Sequence, residues 1–143
     1  MPNDKPHNGG NWTAARFHSF IKGGLRALTN RWGPKNECKK KARVARGIYR
    51  CAGFGIPAHK VPASIVDDKK GRINNVYVDH IIPIIGPEGF VSWDQTIKRM
   101  FCEVDGLQVL CKECHDNKTK QEREQNVIAR KDRKQSTDSG EDV

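Results

Sequence analysis

The sequence predicts a small α+β fold, and three observations carry that reading. Two short apolar runs, Val76-Tyr77-Val78 and Leu107-Gln108-Val109-Leu110, have the length and residue types of strands. Helical patterns flank them, with no regular strand–helix alternation to make a parallel sheet. Finally, Cys111-x-x-Cys114 follows the second apolar run directly. The 143 residues are 36% hydrophobic with mean hydropathy −0.76, enough for one modest core that would gain from a metal staple.

Taken in order, residues 1–11 read as disordered. From Thr13 to about Asn30, Phe17, Phe20, Ile21, Leu25 and Leu28 fall near helical spacing, and Gly23-Gly24 predicts a kink or an early end. Trp32-Gly33-Pro34 breaks the chain, and a very basic helix is expected from Glu37 to Ala45. Gly53, Gly55, Pro57 and Pro62 mark an irregular loop, and Lys69-Lys70-Gly71-Arg72 a basic turn. Val76 onward is a strand carrying Asp79-His80 at its end, which Pro83 terminates. Ser92 is a helix N-cap with Gln95 three residues on, predicting a helix from Asp94 to Phe101. Leu107–Leu110 is the second strand, and His115 to about Arg130 the last helix. The resulting organisation is a basic, mostly helical extension over 1–47, a core over 48–130 and a disordered tail over 131–143.

Charge is unevenly placed. The formal net charge is +9, but residues 1–50 hold twelve Lys/Arg against two Asp/Glu, while the rest holds fourteen against fifteen. A basic half of that density points to nucleic-acid phosphates, with solubility as the plainer alternative. No apolar run approaches the length of a membrane span. The first ten residues are polar and the cysteines number five, so a reducing, cytoplasmic setting is expected, where paired cysteines read as metal ligands before disulfides.

Two residues between Cys111 and Cys114 let both thiolates reach one tetrahedral ion. Zinc needs four ligands, and Cys38, Cys51, Cys102 and His59 are the candidates for the rest. Ordinary reduced, buried cysteines are the alternative. Asp79-His80 sets a carboxylate beside an imidazole near a strand end, where adjacent side chains point to opposite faces. His115, at the start of the last helix, can aim back at that strand. A carboxylate and an imidazole, with waters and a phosphate oxygen, suit Mg²⁺, Mn²⁺ or a similar ion, and a histidine of near-neutral pKa can deprotonate water. Lys118, one turn past His115, is a candidate phosphate contact, as are Lys39, Lys40, Lys41 and Arg43 on the basic helix.

Asp79-His80-Ile81-x-Pro83 followed by Leu107-Gln108-x-Leu110-Cys111-x-x-Cys114-His115-x-x-Lys118-Thr119 resembles the HNH endonuclease family, within it the small phage and intron-encoded members. The resemblance covers roughly residues 48–122. It implies a ββα-metal, treble-clef-like core that hydrolyses double-stranded DNA in a bacterial host cytoplasm. Asp79 and His115 would ligate the catalytic divalent ion and His80 would be the general base. Cys111, Cys114 and Cys51 would belong to a structural zinc site, with the fourth ligand open among Cys38, His59 and Cys102. Two positions depart from the family: Gly106 stands where the middle Asn belongs, and Phe54 where a cysteine would complete the pair with Cys51. A catalytically degenerate, zinc-containing DNA-binding protein is the alternative reading. Target sequence and oligomeric state are not written in these motifs.

Overall fold

The computed structural model describes the backbone of residues 4–141 and the side chains of residues 4–135. The chain is mixed α+β and separates into two compact units that meet in sequence at Trp32 and Gly33.

In the first unit, α1 (Ala14–Leu28) starts where the Thr13 hydroxyl accepts the Arg16 amide N–H at 3.1 Å, a cap worth about 1 kcal/mol. The helix runs through Gly23-Gly24 without ending. Its last turn is closed by the Thr29 hydroxyl, which donates to the Arg26 carbonyl at 2.6 Å, and a 3-10 turn over Thr29–Arg31 follows. The segment before α1, expected to be disordered, is held by its aromatic side chains. His7 and Trp12 pair through both backbone bonds, the His7 ring stacks on Phe17 at 4.2 Å, and Trp12 tilts against Phe20 at 4.8 Å. Residues 1–3 of that expectation lie outside the described residues.

The second unit opens with α2 (Gly33–Ala42), displaced from the expected 37–45 because Pro34 sits in its first turn, where proline's fixed φ favours helix initiation. The chain then becomes extended as β1 (Arg43–Ala45), β2 (Ile48–Cys51) and β3 (His59–Pro62), an antiparallel sheet in the order β1-β2-β3 with Cys51 opposite His59. β4 (Ser64–Asp67) and β5 (Gly71–Asn74) form a hairpin around the basic turn. Asp67 Oδ1 accepts the amide N–H groups of Lys69 and Lys70 at 2.9 Å each.

β6 (Val76–His80) follows at once. Its antiparallel partner comes only after a 26-residue excursion, residues 81–106, which contains α3 (Trp93–Met100). The Ser92 hydroxyl caps α3 by accepting the Gln95 amide at 3.1 Å, as its sequence pattern anticipates. β7 (Leu107–Cys111) then pairs with β6 in the register His80↔Leu107 through Val76↔Cys111. α4 (Lys112–Glu141) begins on the very next residue. It continues through residues expected as a disordered tail. From Lys120 onward the chain is rich in Lys, Gln, Glu and Arg, with no proline and no glycine before Gly140, a composition that favours helix. Residues 142–143 lie outside the described residues.

The core of the second unit gathers Val61, Val76, Leu107, Val109 and the fully buried Leu110 with Cys51, Cys111 and Cys114. Cys38 brings α2 into this cluster, and α2 packs against β7. The basic helix is therefore part of the core unit, and the boundary falls at residue 33 rather than after residue 47. Among the described residues no helix is long and apolar enough to cross a membrane.

Candidate metal centre

Four side chains converge where the β2–β3 loop meets the start of α4. Cys51 ends β2, His59 opens β3, Cys111 ends β7, and Cys114 lies in the first turn of α4. Their ligand atoms all lie within 4.8 Å of one another. The three cysteines are buried, with at most 5% of their surface exposed, and His59 is half-buried. The loop between the first two ligands closes tightly at Gly53, whose φ is +83°. A Cβ there would meet the Ile56 carbonyl oxygen at 2.2 Å and that of Pro57 at 2.8 Å, so only glycine fits.

The surroundings orient these donors. The amides of Gly53 and Cys111 both point at Cys51 Sγ, at 3.3 and 3.2 Å, as suits a thiolate. His59 Nδ1 lies 3.1 Å from the Pro57 carbonyl oxygen. A carbonyl only accepts, so Nδ1 carries the hydrogen and Nε2 turns its lone pair inward, 3.7 Å from Cys111 Sγ. Burial, together with the neighbouring Cys111 and Cys51 thiols, pushes the Cys114 thiol up to about 12. The Cys111 sulfur and the Pro57 carbonyl hold the His59 pKa above its ordinary value. Crowded sulfur that resists ionisation on its own is what a dication reverses.

Three thiols and one imidazole suit a closed tetrahedral zinc site. The fourth member of the group, left open by the sequence, is His59. Cys38 and Cys102 lie outside the group: Cys38 is carried by α2, and Cys102 packs against Gly106. Phe54, in the place of an expected cysteine, packs its ring against the core, and His59, five residues on, completes the group.

A second constellation lies at the other end of the β6–β7 hairpin. Strand alternation separates Asp79 from His80. Asp79 and Tyr77 share one face, and the His115 ring, from the first turns of α4, stacks on Tyr77 at 4.8 Å and 17°. Asp79 and His115 are thus brought to one side of the hairpin. Gln108, directly across from Asp79, donates Nε2–H to its Oδ2 at 3.0 Å. His80 Nε2 instead lies 2.8 Å from the Met100 carbonyl oxygen at the end of α3. Among the described residues these three do not converge into a second group of the Cys51–His59–Cys111–Cys114 kind.

Lys118, expected to reach a phosphate, is placed otherwise. It is 8% exposed, and its ammonium lies 3.0 Å from Asp79 Oδ2, 2.5 Å from Glu122 Oε1 and 3.0 Å from the His80 carbonyl oxygen. An ammonium has three N–H bonds, and all three are engaged. Burial alone would lower its pKa, but the Glu122 and Asp79 carboxylates outweigh that and hold it above the ordinary value. No pattern in the sequence marks this lysine as an internal one. Lys39, Lys40, Lys41 and Arg43 are exposed. Lys39 lies over the Tyr49 ring at 5.8 Å, and Lys41 pairs with Glu37 at 3.5 Å.

The glycine at 106 also has a local cause. Its amide bonds to the Glu103 carbonyl and its carbonyl accepts the Ile81 amide, tying the two ends of the 81–106 excursion together. A Cβ at this position would meet Cys102 Sγ at 2.9 Å and Cys102 Cβ at 3.2 Å. Asp105 beside it is exposed. Compared with known proteins, the chain matches no family model, no curated protein and no solved structure.

Proposed function

We propose that this protein is a metal-dependent DNA endonuclease of the ββα-metal, HNH type, hydrolysing phosphodiester bonds of double-stranded DNA on a zinc-braced scaffold. The observation that carries the reading is the setting of His80. Its Nε2 is 2.8 Å from the Met100 carbonyl oxygen, while the adjacent Asp79 shares the α4 face of the hairpin with His115. Because the carbonyl can only accept, Nε2 keeps the hydrogen and Nδ1 is left as the basic nitrogen. A water proton taken at Nδ1 makes an imidazolium, and the same carbonyl then stabilises its Nε2–H. The order of elements, an antiparallel hairpin with a long loop followed directly by a helix, agrees with the resemblance read from the motifs.

The donors at Asp79 and His115 fit a hard divalent ion. Gln108 and Lys118 both bond to Oδ2, so neither donor uses Oδ1, and His115 adds an imidazole on the same face. Mg²⁺ or Mn²⁺ held by Asp79 and His115 would supply positive charge to the scissile phosphate. The exposed cations Lys39, Lys40, Lys41 and Arg43 of the core unit are available for backbone phosphates.

A catalytically degenerate, zinc-containing DNA-binding protein is the second reading, and Gly106 favours it. The side-chain amide expected at that position is missing, and the Ile81–Gly106 and Gly106–Glu103 backbone bonds stand in its place. Supercoiled plasmid separates the two. The zinc-loaded wild type is expected to nick or linearise it in Mg²⁺ or Mn²⁺ and to leave it intact in chelator. His80→Ala should bind DNA equally and cut it at least 100-fold more slowly. DNA binding without metal-dependent scission by the wild type would establish the second reading, and equal cutting by His80→Ala would remove the base assignment.

A further inference from the structure

Lys118 is the least expected participant at the Asp79 face. A lysine so deeply buried is rare unless it is paired, and this one holds two carboxylates and a carbonyl at once. Its partners come from three places. Asp79 is the carboxylate of the strand, the His80 carbonyl is the backbone of the residue proposed as base, and Glu122 lies one turn further along α4. The lysine therefore ties the helix to the end of β6.

We infer that Lys118 is a positioning residue that fixes the Asp79 carboxylate and the backbone of His80 while keeping the divalent-ion site only weakly anionic. The inference rests on the nuclease reading and deepens it. Lys118 and Gln108 both bond to Oδ2, which sets the rotation of the carboxylate and the direction of its other oxygen. The cluster of Asp79, Lys118 and Glu122 carries one net negative charge; without the lysine it would carry two. An ion arriving at Asp79 thus meets a well-oriented but poorly charged site. Its binding then depends on the negative charge that a DNA phosphate brings, and ion and substrate load together.

Two effects of removing the lysine therefore have opposite signs. Charge favours the ion, while orientation of Asp79 and of the His80 backbone is lost. For zinc-loaded Lys118→Met, Mn²⁺ affinity without DNA, read from the EPR signal of free Mn²⁺, is expected to rise about tenfold, and kcat for plasmid nicking to fall at least tenfold. Lys118→Arg, which keeps a cation between the same carboxylates, should bring both values back to within about threefold of wild type. A merely structural lysine would weaken ion binding and cleavage together. That result, or unchanged Mn²⁺ affinity in Lys118→Met, overturns the inference and leaves the nuclease reading standing. If Lys118→Met does not load zinc, Glu122→Gln decides. It removes one negative charge without touching Asp79, so Mn²⁺ affinity should fall about threefold, and no change overturns the inference. A wild type that neither binds Mn²⁺ nor cuts DNA overturns the nuclease reading and this inference together.

Discussion

Nε2 of His80 and the carbonyl oxygen of Met100 lie 2.8 Å apart across twenty residues, joining the end of β6 to the end of α3. The contact selects one tautomer of the ring. The neutral form should carry its hydrogen on Nε2, and long-range ¹H–¹⁵N correlation of the His80 ring is the measurement. A ring protonated at Nδ1 and bare at Nε2 would contradict the arrangement. Shortening or repacking α3 should release the ring and, on the proposed nuclease reading, lower cleavage without touching the hairpin.

The Cys51–His59–Cys111–Cys114 group should bind one equivalent of zinc through three sulfurs and one nitrogen, as X-ray absorption would show. Structural zinc in small domains contributes roughly 10–16 kcal/mol of apparent binding free energy, so chelation should unfold the core unit. Cys114→Ser and His59→Ala should each lose most of the zinc. Cys38→Ser should keep it, because Cys38 is outside the group.

Gly53→Ala tests the loop that brings Cys51 and His59 together. The added methyl would sit on the carbonyl oxygens of Ile56 and Pro57 at a φ of +83°, so the loop must open. Zinc affinity measured by competition with a chromogenic chelator should drop, with loss of stability of about 1–3 kcal/mol.

Gly106→Asn would supply the side chain that the HNH pattern contains, yet it should not improve this protein. Its Cβ would meet Cys102 at 2.9 Å, which is expected to cost about 1–3 kcal/mol in denaturant unfolding. Combined with Cys102→Gly the cost should largely disappear, since the clash is with the sulfur and Cβ of that one residue.

The tip of the β4–β5 hairpin should respond to acid. The Lys69 and Lys70 amides hold the Asp67 carboxyl below its ordinary pKa. A depressed pKa in the folded state means that the support is present above the ordinary aspartate range and is lost as pH falls through the folded value. Protection factors of the Lys69 and Lys70 amides, measured against the intrinsic rate at each pH, should fall there, and Asp67→Ala should give the low values already at neutral pH.

Much of the hairpin and its helix was legible in the sequence because each carries its own punctuation. Ser92 announces α3, the apolar runs announce β6 and β7, and Cys111-x-x-Cys114 marks the junction with α4. Strands β1–β5 were not legible. They are three or four residues long, carry no sustained apolar run, and owe their pairing to the loop around Gly53 and the turn at Asp67. His59 could be nominated as a ligand but not chosen, since only the register that sets it opposite Cys51 singles it out. Lys118 was misread for a physical reason. A lysine on a polar helix looks solvated until the strand beneath it is placed, and three partners then claim its ammonium.

Strand β7 passes into α4 without a connecting residue, so Cys111 and Cys114 lie just before His115 and Lys118 on one stiff segment. On the nuclease reading proposed above, the nutritional state of a cell would therefore bear on this protein through an ion that takes no part in the reaction. Zinc starvation would then silence it as fully as loss of magnesium, and would hand the loosened chain to proteases.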